Sequence, residues 1–90
     1  MPVILWDELK RAANLQKHGL DFGLLTETFF EDAVFTPAKL GRFAAMNRIG
    51  ARTITVIFAP YGEEGVSVVS MRPSSHVERR IYEQEKAKRI

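Results

Sequence analysis

Cysteine is missing from this 90-residue chain, so neither a disulfide nor a thiolate zinc site can hold it together. That usage suits a reducing compartment. Histidine occurs only twice, at His18 and His76, and the carboxylates are scattered without a spacing such as His-x-x-x-His. Neither a metal nor a cofactor is expected. No stretch approaches the roughly 20 apolar residues of a membrane span. The opening "MPVILWDEL" has no basic n-region and only a short apolar run, so it does not read as a signal peptide. The expected location is the cytoplasm. A strong charge of one sign is also missing: the net charge is +2 and the pI about 9.2. A polyanion binder is permitted by such a balance and not demanded.

What is present is globular. Hydrophobic residues make up 46% and charged residues 27%, whereas disorder needs fewer apolar residues and more net charge. The length suits a single domain, residues 1–90, with a modest core. Charge is unevenly spread along it. Acidic residues outnumber basic ones between Asp7 and Asp32 and recur at Glu63 and Glu64, while Arg72, Arg79, Arg80, Lys86, Lys88 and Arg89 make the C-terminal end a basic arm.

Local signals mark out the elements. Pro2 to Trp6 is short and rich in β-formers, which predicts a strand. Asp7 then caps a helix that runs to His18 and stops at Gly19. On that helix Leu9, Ala12 and Ala13, with Leu20 beyond, share one side, the expected core side. Lys10, Asn14, Lys17 and His18 share another. Asp21 caps a second short helix in which Phe22, Leu25 and Phe29 recur at helical spacing. Strands follow in "AVFTPAKLG", a short or edge strand by virtue of Pro37, then in "RFAAMNRIG", "TITVIFAP" and "VSVVSMR", with turns at Gly41, at 48–52 and in "PYGEEG". Four strands with such short links are antiparallel neighbours. Ser75-His76-Val77-Glu78 is a capping box opening a last helix, expected to bury Val77 and Ile81 and the stems of Gln84 and Lys88. The predicted fold is α+β: a short N-terminal strand, two helices, a four-stranded antiparallel meander and a C-terminal helix. The helices are expected on one face of the sheet, with part of the other left to water or a ligand.

The candidate chemistry lies in cations and one imidazole. His18 ends a helix, where a cation ordinarily complements the helix dipole. Arg72 closes the last strand before a loop, where sites are often built; its ordinary role would be a solvated arginine or a salt bridge to Glu78. Arg42 opens a strand and ordinarily serves as an edge charge. Arg79 would pair with Glu83 one helical turn on. Together with Lys10, Asn14, Lys17 and Arg80, however, these side chains concentrate positive charge and amide groups. No serine-histidine-acid set or phosphate loop competes with them. Cations plus a histidine suit an RNA phosphodiester, whose 2′-hydroxyl is a built-in nucleophile. Cleavage needs a base, an acid and charge stabilisation at phosphorus.

The segments "WDELKRAANLQKHGLDF", "GRFAAMNRIGARTITVIFA" and "VSVVSMRPSSHVERRIYEQ" together resemble the BrnT family, over nearly the whole chain. Lys17-His18-Gly19 and Glu78-Arg79-Arg80-Ile81-Tyr82 are its most specific motifs. The resemblance implies a bacterial type II toxin with a RelE-like fold, which inhibits translation by cleaving RNA without a metal. It implies a BrnA-like antitoxin partner with a ribbon-helix-helix domain, in a dimer of heterodimers that meets operator DNA only through that antitoxin. Carried over by position, His18, Arg42 and Arg72 are the expected catalytic residues, and Lys17, Arg79, Arg80 and Tyr82 the expected substrate-binding ones. Two departures stand out. Met46-Asn47 replaces an Ile-Gly pair, where Asn is expected to keep a turn or bulge, and Pro73 replaces a lysine. Pro73 therefore favours an alternative reading, a catalytically weak subunit that serves the autorepression complex. A non-catalytic RNA-binding module ranks last, because the strands lack a stacking aromatic pair.

Overall fold

The computed structural model describes residues 3–89. Strand β1 (Ile4–Trp6) leads into helix α1 (Glu8–His18). A 3-10 turn (Phe22–Leu24) and the short helix α2 (Glu27–Glu31) follow. Then come β2 (Val34–Pro37), β3 (Phe43–Ile49), β4 (Arg52–Tyr61), β5 (Gly65–Pro73) and helix α3 (His76–Lys88). No helix is long and apolar enough to cross a membrane.

The predicted meander forms: β2 to β5 pair antiparallel in sequence order. The sheet is nevertheless mixed and five-stranded, because β1 adds to the far edge parallel to β5, Ile4 opposite Val66 and Trp6 opposite Val68. Asp21 caps only the 3-10 turn, accepting from Gly23 N–H, and Thr26 caps α2 separately. The expected second helix is therefore two pieces, although Phe22, Leu25 and Phe29 are all buried as its periodicity requires.

Helices occupy both faces, which corrects the one-sided arrangement expected from sequence. One face carries the main core, where Phe22, Leu25, Phe29 and Phe30 pack on Ala45, Ile54, Val56, Val68 and Met71. Alternation sends Met46 and Val34 to the other face, where Ile81 and Tyr82 of α3 cover them. Tyr82 takes the place assigned to Val77, which stays 64% exposed. Gln84 and Lys88 are exposed as well. Asn47 ties the layers together, donating to the Phe29 carbonyl (3.0 Å) and accepting from the Tyr82 hydroxyl (3.1 Å). It lies inside β3 without positive φ, so no turn or bulge sits there. The turn comes at Gly50, with φ 63°.

Two features position the site. The first is a β-bulge in β5. Phe58 pairs with Val68 and Ile57 with Ser70, leaving Val69 as an extra residue. Strict alternation would put Val66, Val68, Ser70 and Arg72 on one face. The bulge resets the count, so Met71 joins Val68 in the core and Arg72 turns to the opposite face.

The second is the orientation of α1. Leu9 is 80% exposed, and Ala12 and Ala13 are exposed too, so within the helix the expected core side is not buried, although Leu20 just beyond it joins the core as expected. The buried residue of this helix is Asn14. Its amide donates to the carbonyls of Leu20 (3.0 Å) and Met71 (2.8 Å), and its oxygen accepts from Met71 N–H (3.0 Å). Beyond the last β1 pair, Asn14 thus acts as a one-residue strand on the β5 edge. The neighbouring turn is fixed by Arg11, which grips Asp21 through Nε (2.6 Å) and Nη2 (3.0 Å) and lies 5.6 Å from the centre of the Trp6 ring. Hydrogen bonds from Arg11 and Gly23 N–H hold the Asp21 carboxyl down at about 2.

Candidate active site

The polar stripe of α1 is the side laid against β5. Lys10, Asn14, Lys17 and His18 recur at helical spacing, and together with Ala13 they line a cleft of about 240 Å³ whose other wall is Val69 and Ser70. Each piece has a local cause. Asn14 pins the helix to the strand edge. Gly19, at φ 69°, ends the helix by returning its N–H to Leu15 (2.8 Å), so His18 sits at the last turn. The bulge supplies the opposite wall. Lys17 and Lys10 are exposed and His18 is half-buried. A half-buried imidazole that shares a cleft with two lysines and a strand serine has the chemistry to bind an anion and move a proton on it.

Arg72 lies one same-face repeat along β5 from Ser70, about 7 Å further. Both arms of its guanidinium meet Glu78, at 2.6 and 2.9 Å. Burial pushes the Glu78 carboxyl up. Hydrogen bonds from Arg72, Ser75 N–H and Thr55, with the charge of Arg72, outweigh that and hold it at about 2. The same pairing raises the Arg72 pKa. Arg72 is not among the residues that line the cleft, and its charge is matched by a carboxylate of α3.

The other expected residues do not gather there. Arg42 follows the hairpin loop at Leu40, which is itself strained at φ 60° and 86% exposed. It precedes Phe43, and β4 separates that strand from β5. Two strand spacings amount to about 10 Å. Arg79 donates to the Ser74 carbonyl (3.2 Å) and has no ion pair to Glu83 among the described residues. It lines a different cleft with Arg48 and Arg52. Arg80 is exposed on α3. Tyr82 is only 8% exposed with its hydroxyl given to Asn47, so it belongs to the core and not to a substrate surface. The acidic loop carrying Glu63 and Glu64 lies at the opposite end of β5 from Arg72.

Sequence reading missed Ser70, because its place depends on the bulge. It also passed over Arg48 and Arg52, although they flank the Gly50 turn and a tight turn brings its flanks together.

The fold and the cleft define a small α+β domain with two lysines and a histidine gathered at one sheet edge. Comparison with known proteins makes this specific. A family model described as the ribonuclease toxin, BrnT, of type II toxin–antitoxin systems matches residues 6–78. The chain is similar to the Brucella abortus ribonuclease toxin BrnT in its 1.1 Å crystal structure. The two are 45% identical with a TM-score of 0.77, over 84% of this chain and 100% of that one. Comparison with curated proteins gives no match. The chain belongs to the BrnT family of ribonuclease toxins of type II toxin–antitoxin systems.

Proposed function

We propose that this toxin cleaves RNA in the cleft between α1 and β5 by attack of a 2′-hydroxyl on its own phosphodiester, without a metal. The observation that carries the reading is the inward turn of the α1 polar stripe, which sets Lys17 and His18 beside Ser70. His18 takes the proton from the 2′-hydroxyl as its oxygen bonds to phosphorus. The bond from phosphorus to the 5′-oxygen breaks, and that oxygen takes a proton from water. The products are a 2′,3′-cyclic phosphate and a 5′-hydroxyl. Lys17 and Arg72 balance the charge that builds on the phosphoryl oxygens, which requires the phosphate to compete with Glu78 for the guanidinium. Arg42, Arg79 and Arg80 hold flanking phosphates.

In this reading the fold is a RelE-like variant, the toxin acts in the cytoplasm and arrests translation, and a BrnA-like antitoxin neutralises it. Toxin and antitoxin form a dimer of heterodimers, and a ribbon-helix-helix domain of the antitoxin carries that complex to operator DNA. The test is incubation of the purified protein with a long RNA in EDTA, wild type beside His18→Ala. Cleavage by the wild type only, with cyclic-phosphate ends, is expected. Equal cleavage by both proteins would remove His18 from the chemistry.

A second reading has one observation in its favour. Both arms of Arg72 are engaged by Glu78, as in a subunit that keeps the fold and cleaves weakly while serving the antitoxin complex. Growth arrest on expression without the antitoxin separates the two, since a weak subunit leaves growth unchanged.

A further inference from the structure

The second cleft lies at the end of the sheet, between the β3–β4 turn and α3, and has a volume of about 470 Å³. Three guanidiniums line it, from Arg48, Arg52 and Arg79, with Thr53 and Ser74 at its base and Glu83 as its single carboxylate. What distinguishes these arginines is what holds them. Arg11 and Arg72 are gripped by carboxylates. Arg48 donates instead to the Ala51 carbonyl (3.4 Å), and Arg79 to the Ser74 carbonyl (3.2 Å). A carbonyl orients a guanidinium without cancelling its charge, so the remaining donors stay available to an anion. Arg52 is exposed at the start of β4, and none of the three makes an ion pair with Glu83 among the described residues.

Position selects the ligand. Ser70 walls the α1 cleft and Ser74 floors the arginine cleft. They are four residues apart on one extended run, about 13 Å, with Arg72 between them. A polyanion seated at His18 and following β5 toward its C-terminal end therefore arrives at the three arginines. We infer that the arginine cleft is a second phosphate site, which binds the backbone of single-stranded RNA next to the bond being cut. This rests on the proposed cleavage at His18 and adds to it: the RNA is held at two points, and Arg48 and Arg52 set affinity and take no part in the chemistry. Guanidiniums also accept carboxylates, so an acidic stretch of the antitoxin is the competing occupant.

The test uses an RNA oligonucleotide methylated at every 2′-oxygen, which can be bound without being cut. Its affinity is measured against salt concentration for the wild type and for Arg48→Gln/Arg52→Gln. Each phosphate contact to a single strand contributes about 0.7 to the slope of log affinity against log salt. The double variant is expected to lose about 1.4 of that slope and to bind roughly tenfold more weakly at low salt. Thermal melting checks that it is folded, and Arg52→Glu, which reverses one charge, is expected to weaken binding as well. Unchanged affinity and slope in both variants, with unmodified RNA still cut by the wild type, would overturn the second site and leave the cleavage reading intact. Unchanged RNA binding with weakened capture of the purified antitoxin would also overturn it, in favour of a partner surface. A wild type that neither binds nor cuts RNA would overturn both readings.

Discussion

Asn14 and Met71 stand 57 residues apart and are joined by two buried hydrogen bonds, one in each direction between the Asn14 amide and the Met71 backbone. That pairing turns a helix into the continuation of a strand. It also decides that the cationic side of α1, and not its apolar side, meets the sheet.

If so, Asn14→Ala leaves three buried backbone or carbonyl partners unsatisfied, counting Leu20. The expected loss is about 2–4 kcal/mol of folding stability, read from urea denaturation. A loss below about 0.5 kcal/mol would mean that water replaces the amide and that α1 is held by other contacts.

The outward apolar side of α1 makes the reverse prediction. Leu9→Gln is expected to change stability by less than about 0.5 kcal/mol, because Leu9 is already in water. Phe22→Ala, at a residue with 0% exposure, should cost about 3–5 kcal/mol. Comparable losses at the two positions in a denaturant series would return Leu9 to the core.

The Arg72–Glu78 pair should show itself in acid. The Glu78 carboxyl lies at about 2 in the folded chain against 4.5 ordinarily. A depressed folded value contributes stability that is complete above about pH 4.5 and drains away as pH falls toward about 2. Glu78→Gln should therefore lower stability at neutral pH, by about 1–2 kcal/mol for a pair only partly exposed to solvent screening that also caps α3. It should also flatten the acid limb, leaving a remainder from Asp21 and Asp32, whose carboxyls are likewise lowered by Arg11 and Lys86. Denaturation curves at several pH values between 2 and 7 provide the comparison, and parallel curves for the two proteins would exclude the pair as a source of acid sensitivity.

Tyr82 tests the boundary between core and site. Tyr82→Phe removes only the bond to Asn47, with an expected cost of about 1 kcal/mol, and should leave RNA affinity unchanged. A clear fall in RNA affinity without loss of stability would restore the tyrosine to the substrate surface.

Much of this protein was legible in local signals. Asp7, Gly19 and the Ser75–Glu78 capping box mark helix ends through hydrogen bonds that span only a few residues, and these bonds are present. The meander followed from short links between strands, and the edge position of β2 from Pro37. The Arg72–Glu78 bridge could be named because both partners flank one loop. The stripe of Lys10, Asn14, Lys17 and His18 was also in the sequence, since helical periodicity states which residues share a side.

Periodicity does not state which side faces inward. For α1 that was decided by the bare edge of β5, whose Met71 peptide groups needed partners that only Asn14 was placed to give. Strand alternation likewise cannot locate a bulge, because register is a property of two strands and not of one. The extra residue at Val69 sent Arg72 to the face opposite Val68 and set Ser70 in the wall of the cleft that His18 also lines. By itself the sequence determined most of the elements, the ends of α1 and the start of α3, and the family motifs. The tertiary structure decided which of the cations meet, because hydrogen-bond pairing across the sheet, and not hydrophobicity along the chain, set the faces.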